Sequence, residues 1–458
     1  MFCQSVSIAD SLVHNRQGIL SNYSPRVDFR VKEQMKYNYS HYNIVLKETE
    51  EFAYLYNSYS GALCKLEKKV HDFILDGVLD DKNKCKYFDE LLKQGFIKPV
   101  ELNEYNKVVC TERATVFATS AVSISYVVAP TLACNLNCDY CFESGYRNNS
   151  TMSDDLLIEI ANYIYNRTDA TTKNIHVVWF GGEPLVAFDK IVKFSKYLIP
   201  KLTEKHIDFI STMISNGLLF TEDRIKIMLK QCALKSVQIT IDGTKEIYCA
   251  RKHATSKQFD ELFENIKAAV KHMKVSVRLN CDDDNYDDLK AVAKQLIELC
   301  RKHNNLNIYL AKLVDYSGCG GEHFFSQDAF DNKRIEFDKF ICELQGKPYK
   351  PFIPKYRKTF CGLFKLNNQV IGPNGEIYKC EHHIGQTDKV VGNIKYGVNY
   401  NDFLIDFIAN TLPSKCRTCK IFPICLGGCP AQRFDLPHDN PCCYTETYIK
   451  KSLLKFIN

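Results

Sequence analysis

Residues 174–214 read NIHVVWFGGEPLVAFDKIVKFSKYLIPKLTEKHIDFISTMI, and the fold is decided in this stretch. Asn174 to Phe180 is a strand-length run rich in β-branched and aromatic residues. Gly181-Gly182-Glu183-Pro184 breaks it with turn residues. Asp189 to Leu202 then carries apolar side chains at helical spacing, and Asp208 to Ile214 is a second strand run. Strand, helix and strand in succession make a βαβ unit with parallel strands.

The alternation continues both ways. Upstream, Ser123 to Ala129 is an apolar run and Asp154 to Arg167 is amphipathic. Downstream, Glu222 to Gln231 leads to Ser236 to Ile241, Phe259 to Met273 to Val275–Asn280, and Asp287 to His303 to Asn307–Leu313. Six strands with five intervening helices predict an α/β fold, a partial (β/α)6 barrel over residues 122–315. The functional loops should follow the carboxyl ends of its strands.

Residues 1–37 carry no persuasive pattern and read as an irregular lead-in. In residues 38–112, Tyr42–Leu46 and Phe52–Tyr56 alternate as strands, and Asn57 to Gly61 is turn chemistry. Leu63–Leu75 and Tyr87–Leu92 have helical spacing, Gly95 is a helix stop, and Lys107–Cys110 reads as a closing strand. The expectation is a small winged-helix-like domain. Gly318-Cys319-Gly320-Gly321 opens a bridging region over 316–360. Residues 361–445 look too irregular to fold on apolar burial alone, so metal sites would supply the constraint, and 446–458 form a tail.

With 458 residues the chain exceeds one ordinary core. Its 45% hydrophobic and 25% charged residues are those of a soluble globular protein. No apolar run approaches the roughly 18 residues of a membrane helix. Arg16, Arg26 and Arg30 near the start accompany neither a continuous apolar stretch nor a periodic face, so no secretory or transit segment is expected. The net charge of +6 is spread among interspersed acids and bases and demands no nucleic-acid partner.

The 21 cysteines are the anomaly. Without an export signal, clustered thiols point to metal or redox chemistry rather than disulfides. Cys134-Asn-Leu-Asn-Cys138-Asp-Tyr-Cys141 directly follows the first barrel strand. Three such thiolates can hold a four-iron cluster and leave one iron open to a chelating small molecule. A zinc site lacking one local ligand, or three unrelated thiols, are the alternatives on spacing alone.

With Tyr140 before the last cysteine, this loop resembles the signature of the radical S-adenosylmethionine (SAM) superfamily. The resemblance implies a 4Fe-4S cluster on Cys134, Cys138 and Cys141, with SAM on the open iron. It assigns Gly181, Gly182 and Glu183 to the SAM amino group and Ser215-Asn216-Gly217 to the ribose. Thr240-Ile-Asp242-Gly243 is similar to a family motif followed by a basic residue for the SAM carboxylate, here Arg251 or Lys252, and Asn280 ends the fifth strand. The implied chemistry is reductive cleavage of SAM to methionine and a 5′-deoxyadenosyl radical that abstracts a substrate hydrogen.

A second constellation comprises Cys361, Gly375-x4-Cys380, Cys416-x2-Cys419-x5-Cys425-x3-Cys429 and the adjacent Cys442-Cys443. A zinc ribbon is the alternative, but at least seven thiols suit two centres better than one. The arrangement resembles the SPASM extension of radical SAM enzymes. By resemblance Cys361, Cys380 and Cys429 bind a first auxiliary cluster. Cys416, Cys419, Cys425 and either Cys442 or Cys443 bind a second, making three 4Fe-4S clusters in all. Some relatives place a further cysteine shortly after the first, whereas here residues 362–368 contain none. That leaves an iron open to a substrate thiolate, or a site for Cys319. Glu381 follows Cys380, where an Asp of sulfatase-maturing relatives accepts a proton. It suits general-base work if burial raises its pKa, and an exposed neutral role otherwise.

SPASM enzymes commonly act on peptides. Peptide-modifying (RiPP) members often begin with a winged-helix unit that takes a leader sequence as an added strand. Residues 38–112 resemble it, chiefly at Tyr56–Leu63. The expectation is therefore an oxidoreductase that binds a ribosomally made precursor peptide and forms a cross-link, with a cysteine thioether ahead of carbon–carbon or carbon–oxygen bonds. A sulfatase-maturing, formylglycine-forming enzyme is the second reading, and the leading domain and Glu381 count against it. A non-catalytic iron–sulfur electron-transfer protein is the third, disfavoured by the SAM-side residues. A one-electron reductant such as flavodoxin or ferredoxin is the other expected partner, in a cytoplasm protected from oxygen and away from membranes.

Overall fold

The computed structural model describes residues 35–80, 83–314, 325–350, 355–409, 411–436, 442–454 and 457. Cys319, the Gly318–Gly321 boundary and most of the lead-in lie outside the described residues.

Six parallel strands form the centre: β6 (Ser123–Val128), β7 (Asn174–Trp179), β8 (Asp208–Ser215), β9 (Leu234–Ile241), β10 (Lys274–Cys281) and β11 (Leu306–Lys312). They follow β1 (Tyr37–Tyr39), β2 (Asn43–Glu48), β3 (Phe52–Asn57), β4 (Leu63–Glu67) and β5 (Ile97–Pro99) of the leading unit. The helices of that unit are α1 (Lys68–Asp76), α2 (Phe88–Lys93) and α3 (Glu104–Val116). Between the central strands run α4 (Asp154–Asn166), α5 (Phe188–Glu204), α6 (Glu222–Gln231), α7 (Lys245–Lys252), α8 (Ser256–Ala269) and α9 (Tyr286–Leu299). The central strands lie in sequence order, so each neighbour is reached by the next crossover.

Alternation sorts the side chains. Ile175, Val177 and Trp179 of β7, and Val275, Val277 and Leu279 of β10, sink into the main apolar core beneath the helices. Leu157, Ile160, Ala161 and Ile164 of α4 meet them at helical spacing. Trp179 is fully buried, with the Phe194 ring edge-on at 5.2 Å. The intervening residues, His176 and Val178 on β7 or Ser276 and Arg278 on β10, face the lumen and are only half-buried.

The sheet does not stop at β6. Beyond α10 (Gln327–Leu344), β12 (Gln369–Ile371) pairs in parallel with β6, matching Val370 to Val127. β13 (Glu376–Tyr378), β14 (Gly392–Asn393) and β15 (Gly397–Val398) extend it antiparallel, giving ten strands. Helices α11 (Asp402–Ala409), α12 (Phe422–Cys425), α13 (Pro430–Asp435) and α14 (Glu446–Leu454) complete the C-terminal part. The leading unit holds a β2-β3-β4 antiparallel sheet and a β1-β5 pair. Ile44, Leu46 and Tyr56 of that sheet pack with Ile421, Ile424, Tyr448 and Leu453 in one apolar cluster.

Some sequence expectations are corrected. Lys107–Cys110 lies inside α3, not in a strand, because the Asn103 side chain caps the helix and Val108, Glu112 and Val116 share its buried side. The expected helix over Leu63–Leu75 divides: residues 63–67 are drawn into a strand by pairing with β3, and only Lys68 onward is helical. Helix α10, with 18 residues, was not anticipated, since charges interrupt its apolar spacing. Among the described residues no helix is long and apolar enough to cross a membrane.

Candidate functional site

Cys134, Cys138 and Cys141 sit half-buried on the loop after β6. The loop is held from three sides. Arg147 donates to the Leu136 carbonyl at 2.8 Å and to Cys141 Sγ at 3.0 Å. The carbonyls at the end of α7, those of Arg251 and Lys252, accept from the Asp139 and Asn137 amides at 3.1 and 3.4 Å. The GGEP turn closes the third side: Gly182 N–H donates to Thr131 O at 3.2 Å and Glu183 N–H to Ala133 O at 2.9 Å. A Cβ on Gly182 would stand 2.4 Å from Leu132 O and 2.5 Å from Ala133 O, so only glycine lets these backbones meet.

Burial pushes the Cys134 thiol up to about 11 and also raises Cys138. Bare thiolates are thus disfavoured on this loop, and a cationic group that takes them as ligands removes the penalty. The donor set, three soft sulfurs within one eight-residue stretch, fits an iron–sulfur cluster short of one protein ligand.

Glu183 is fully buried and its carboxylate is engaged. It accepts from Leu185 N–H at 3.0 Å, Ser215 Oγ at 3.0 and 3.1 Å, and Asn216 N–H at 2.8 Å. Burial raises its pKa to about 6 against the pull of these bonds. Ser215 is accordingly turned toward Glu183, while the Asn216 side chain donates to Asn135 Oδ1 at 2.7 Å, beside Cys134. Thr240 is half-buried on the lumen side of β9.

Tyr140, Asp242 and Lys252 form a closed triangle. Tyr140 OH donates to Asp242 Oδ2 at 2.5 Å, Lys252 Nζ donates to Tyr140 OH at 2.8 Å, and Lys252 pairs with Asp242 at 3.0 Å. Asp242 is fully buried and Lys252 nearly so. Burial opposes the ammonium, but Asp242, Tyr140 and Cys138 outweigh it and hold the Lys252 pKa well above its ordinary value. Arg251 turns the other way, onto Asp282, at 2.6 and 3.0 Å. Both sequence candidates for a carboxylate contact therefore already carry an internal acid. Asn280 is buried at the end of β10, where Asn285 donates to its carbonyl at 2.8 Å.

In the C-terminal part, Cys361, Cys380 and Cys429 come together from the stretch before β12, the end of β13 and the start of α13. Burial raises all three thiols, Cys361 to about 11, and the Glu381 charge acts on each of them. Glu381 is half-buried; burial raises its carboxyl and Arg278 pulls it back. Lys379, 2% exposed, donates to the carbonyls of Lys365 and Asn368 at 2.5 Å each, tying the residues after Cys361 to β13. The His382 ring stacks on Phe142 at 4.2 Å, joining this stretch to the loop of Cys141. Cys416, Cys419 and Cys425 form the other group. Cys442 acts electrostatically on Cys416 and Cys419 and contacts Cys425, which Cys443 also meets at 3.7 Å between sulfurs.

Sequence reasoning missed Arg147, Asp282, Arg278, Lys379 and the Phe142–His382 stack. None belongs to a spaced motif; each is brought into place by strand register or by a loop reaching across.

The family model described as Radical SAM superfamily matches residues 128–296. An uncharacterised protein of Synechocystis sp. is 31% identical over 351 residues, 67% of this chain and 84% of that relative. A cysteine-type anaerobic sulfatase-maturating enzyme of Clostridium novyi is 24% identical over 350 residues, 67% of this chain and 88% of that relative. Among solved structures, native anSMEcpe with bound AdoMet has a TM-score of 0.55 at 18% identity, covering 73% of this chain and 96% of that one. Streptococcus suis SuiB bound to precursor peptide SuiA has a TM-score of 0.52 at 15% identity, covering 90% and 98%. These two likenesses are likenesses of fold.

Proposed function

Because the chain belongs to the radical SAM superfamily, we propose that it is a maturase that oxidises a ribosomally made peptide and closes a cross-link in it, a cysteine thioether first. The observation that carries the reading is the fold likeness to SuiB. A match over 90% of the chain cannot be confined to residues 122–458, so it reaches into the leading unit, and that neighbour is bound to a precursor peptide. In this reading residues 38–112 hold the leader, residues 122–315 form the reaction chamber, and residues 361–445 carry auxiliary clusters. The leader adds as a strand along β4, at the edge of the β2-β3-β4 sheet opposite β2.

Cys134, Cys138 and Cys141 would hold a 4Fe-4S cluster, with SAM beside Tyr140, Gly181, Gly182, Asn216, Thr240 and Asn280. When bound, that pair supplies hydrogen-atom abstraction. The chain's own work is to position and exclude. Arg147 and the end of α7 fix the cysteine loop, and the Tyr140–Asp242–Lys252 triangle fixes the floor beneath it. Thioether closure removes a hydrogen atom from carbon, a proton from sulfur and one further electron; Glu381 would accept the proton, and the C-terminal cysteines would hold the auxiliary cluster that takes the electron. The lack of a cysteine in residues 362–368 supports an auxiliary site with room for a substrate thiolate. A flavodoxin or ferredoxin delivers the electron.

For the second auxiliary site Cys442 is the proposed fourth ligand, supported by its reach toward Cys416 and Cys419 as well as Cys425. Cys442→Ser is expected to lower bound iron by about four atoms per chain and Cys443→Ser to leave it unchanged, measured by iron analysis after anaerobic reconstitution. Equal loss in both variants would contradict the assignment.

Sulfatase maturation stays as a second reading on the similarity to the Clostridium novyi enzyme. Incubation of the reconstituted protein with SAM, a reductant and the product of a neighbouring small reading frame separates the two. Loss of two hydrogens and of a free thiol from that peptide supports the thioether. Conversion of a sulfatase peptide's cysteine to formylglycine supports the other reading, and no 5′-deoxyadenosine at all sinks both.

A further inference from the structure

The lumen side of the strands is lined with polar groups that nothing above uses. His176 meets Thr212 at 2.9 Å, and Tyr309 OH donates to Gln238 Oε1 at 2.7 Å across β10. Arg278 on β10 lies between the strands of the second pair, in register with Thr240 on one side and Tyr309 on the other. Its neighbours Val277 and Leu279 are buried in the core behind the sheet, so the guanidinium stands on the lumen face.

Arg278 differs from the other cations of the site. Lys252 is neutralised by Asp242, Arg251 by Asp282 through two bonds, and Arg147 is spent on the Leu136 carbonyl and Cys141. Arg278 donates Nε to Asn280 Oδ1 at 2.9 Å, which orients the fork. Among the described residues no carboxylate comes within ion-pair distance of it. A half-buried arginine that is oriented by a neighbour and has Glu381 only within electrostatic reach, not in contact, is suited to a ligand carboxylate, which its fork can take bidentately.

Two sources of that carboxylate exist, SAM and the peptide. The cations acting on Cys134 and Cys138 are Arg147 and Lys252, whereas Arg278 acts on Glu381 and His382. Arg278 thus stands beside Asn280 and Thr240 and is also within electrostatic reach of Glu381 and His382 in the C-terminal part. We propose that Arg278 anchors a carboxylate of the peptide substrate, an acidic side chain next to the residue that reacts. The proposal rests on the reading of the lumen as the peptide's reaction chamber.

The test uses the full chain, reconstituted with iron and sulfide and saturated with SAM. Two capped heptapeptides differing only in a central Asp or Asn are titrated by ligand-observed NMR, with a third, the Asn peptide bearing a free C-terminus. The wild type is expected to prefer Asp over Asn by about tenfold, the scale of a charged hydrogen bond. Arg278→Gln is expected to lose that preference and Arg278→Lys to keep part of it. A free C-terminus that restores binding to the Asn peptide also supports a carboxylate site and extends it to chain ends. Equal binding of Asp and Asn by the wild type overturns the proposal, as does a preference that survives in Arg278→Gln. A weakened SAM affinity in Arg278→Gln with the peptide preference intact overturns it too, by giving the residue to the SAM carboxylate. If Arg278→Gln fails to fold by circular dichroism, Arg278→Lys decides, since an undiminished tenfold preference there contradicts bidentate recognition. A wild type that prefers Asp but makes no 5′-deoxyadenosine sinks the maturase reading while the carboxylate site stands.

Discussion

Replacing Cys134, Cys138 and Cys141 together by alanine is expected to abolish 5′-deoxyadenosine formation and to remove about four iron atoms per chain. The loss in rate should exceed roughly 100-fold, since changes even to groups that merely support metal ligands reach that scale. The fold should survive. The loop keeps its anchors in Thr131, Ala133 and the end of α7, which are backbone bonds that the substitutions do not touch. Iron held by the C-terminal cysteines should remain, so the visible absorbance falls in part and not altogether. Product at the wild-type rate would mean that the three thiols are not the reacting centre. Loss of all iron together with secondary structure would mean that they are structural.

Lys252→Met should be the most destabilising single change at the site. The lysine is nearly inaccessible and its partner Asp242 fully so. Removing one member of a buried pair typically costs about 3–5 kcal/mol, because a carboxylate is left in a dry environment. Here the damage is compounded, because Asp242 Oδ1 already has no hydrogen-bond partner and Tyr140 would lose a donor. Urea unfolding of the apoprotein, followed by circular dichroism, measures the effect. The double variant Lys252→Met with Asp242→Asn should recover much of the loss, since it leaves no unpaired charge. A Lys252→Met midpoint equal to that of the wild type would show that water reaches the pair. Lys252→Arg should not substitute fully, as a planar fork cannot fill the place of a compact ammonium.

The contrast between Lys252 and Arg251 shows where sequence reading stopped. Both follow Asp242 at similar distance, and the phase of α7 alone turns one inward and the other to Asp282. The strands from Ser123 to Lys312 were legible because each is long enough for its pattern to show, and the cysteine spacing pointed to the loop after the first of them. The three-residue strands after Cys361 were not, since three residues carry no period. Arg278 was invisible for another reason: an arginine within a β-branched strand reads as a solvent-facing position unless the opposite face is known to be a lumen. The expected helix over Leu63–Leu75 failed because pairing with β3 prevailed over local spacing.

The pairing of β12 with β6 bears on how the molecule can be dissected. A module with its own core can in principle fold alone. Here the module supplies the neighbour of a central strand, through Gln369↔Tyr126, Val370↔Val127 and Ile371↔Val128. A fragment ending before residue 361 would leave Val127 and Val128 on an open, apolar ribbon of unpaired amides and carbonyls, the template on which chains stick to one another. Insolubility of such a fragment would follow from the missing neighbour strand, even if every residue of the SAM loop were intact.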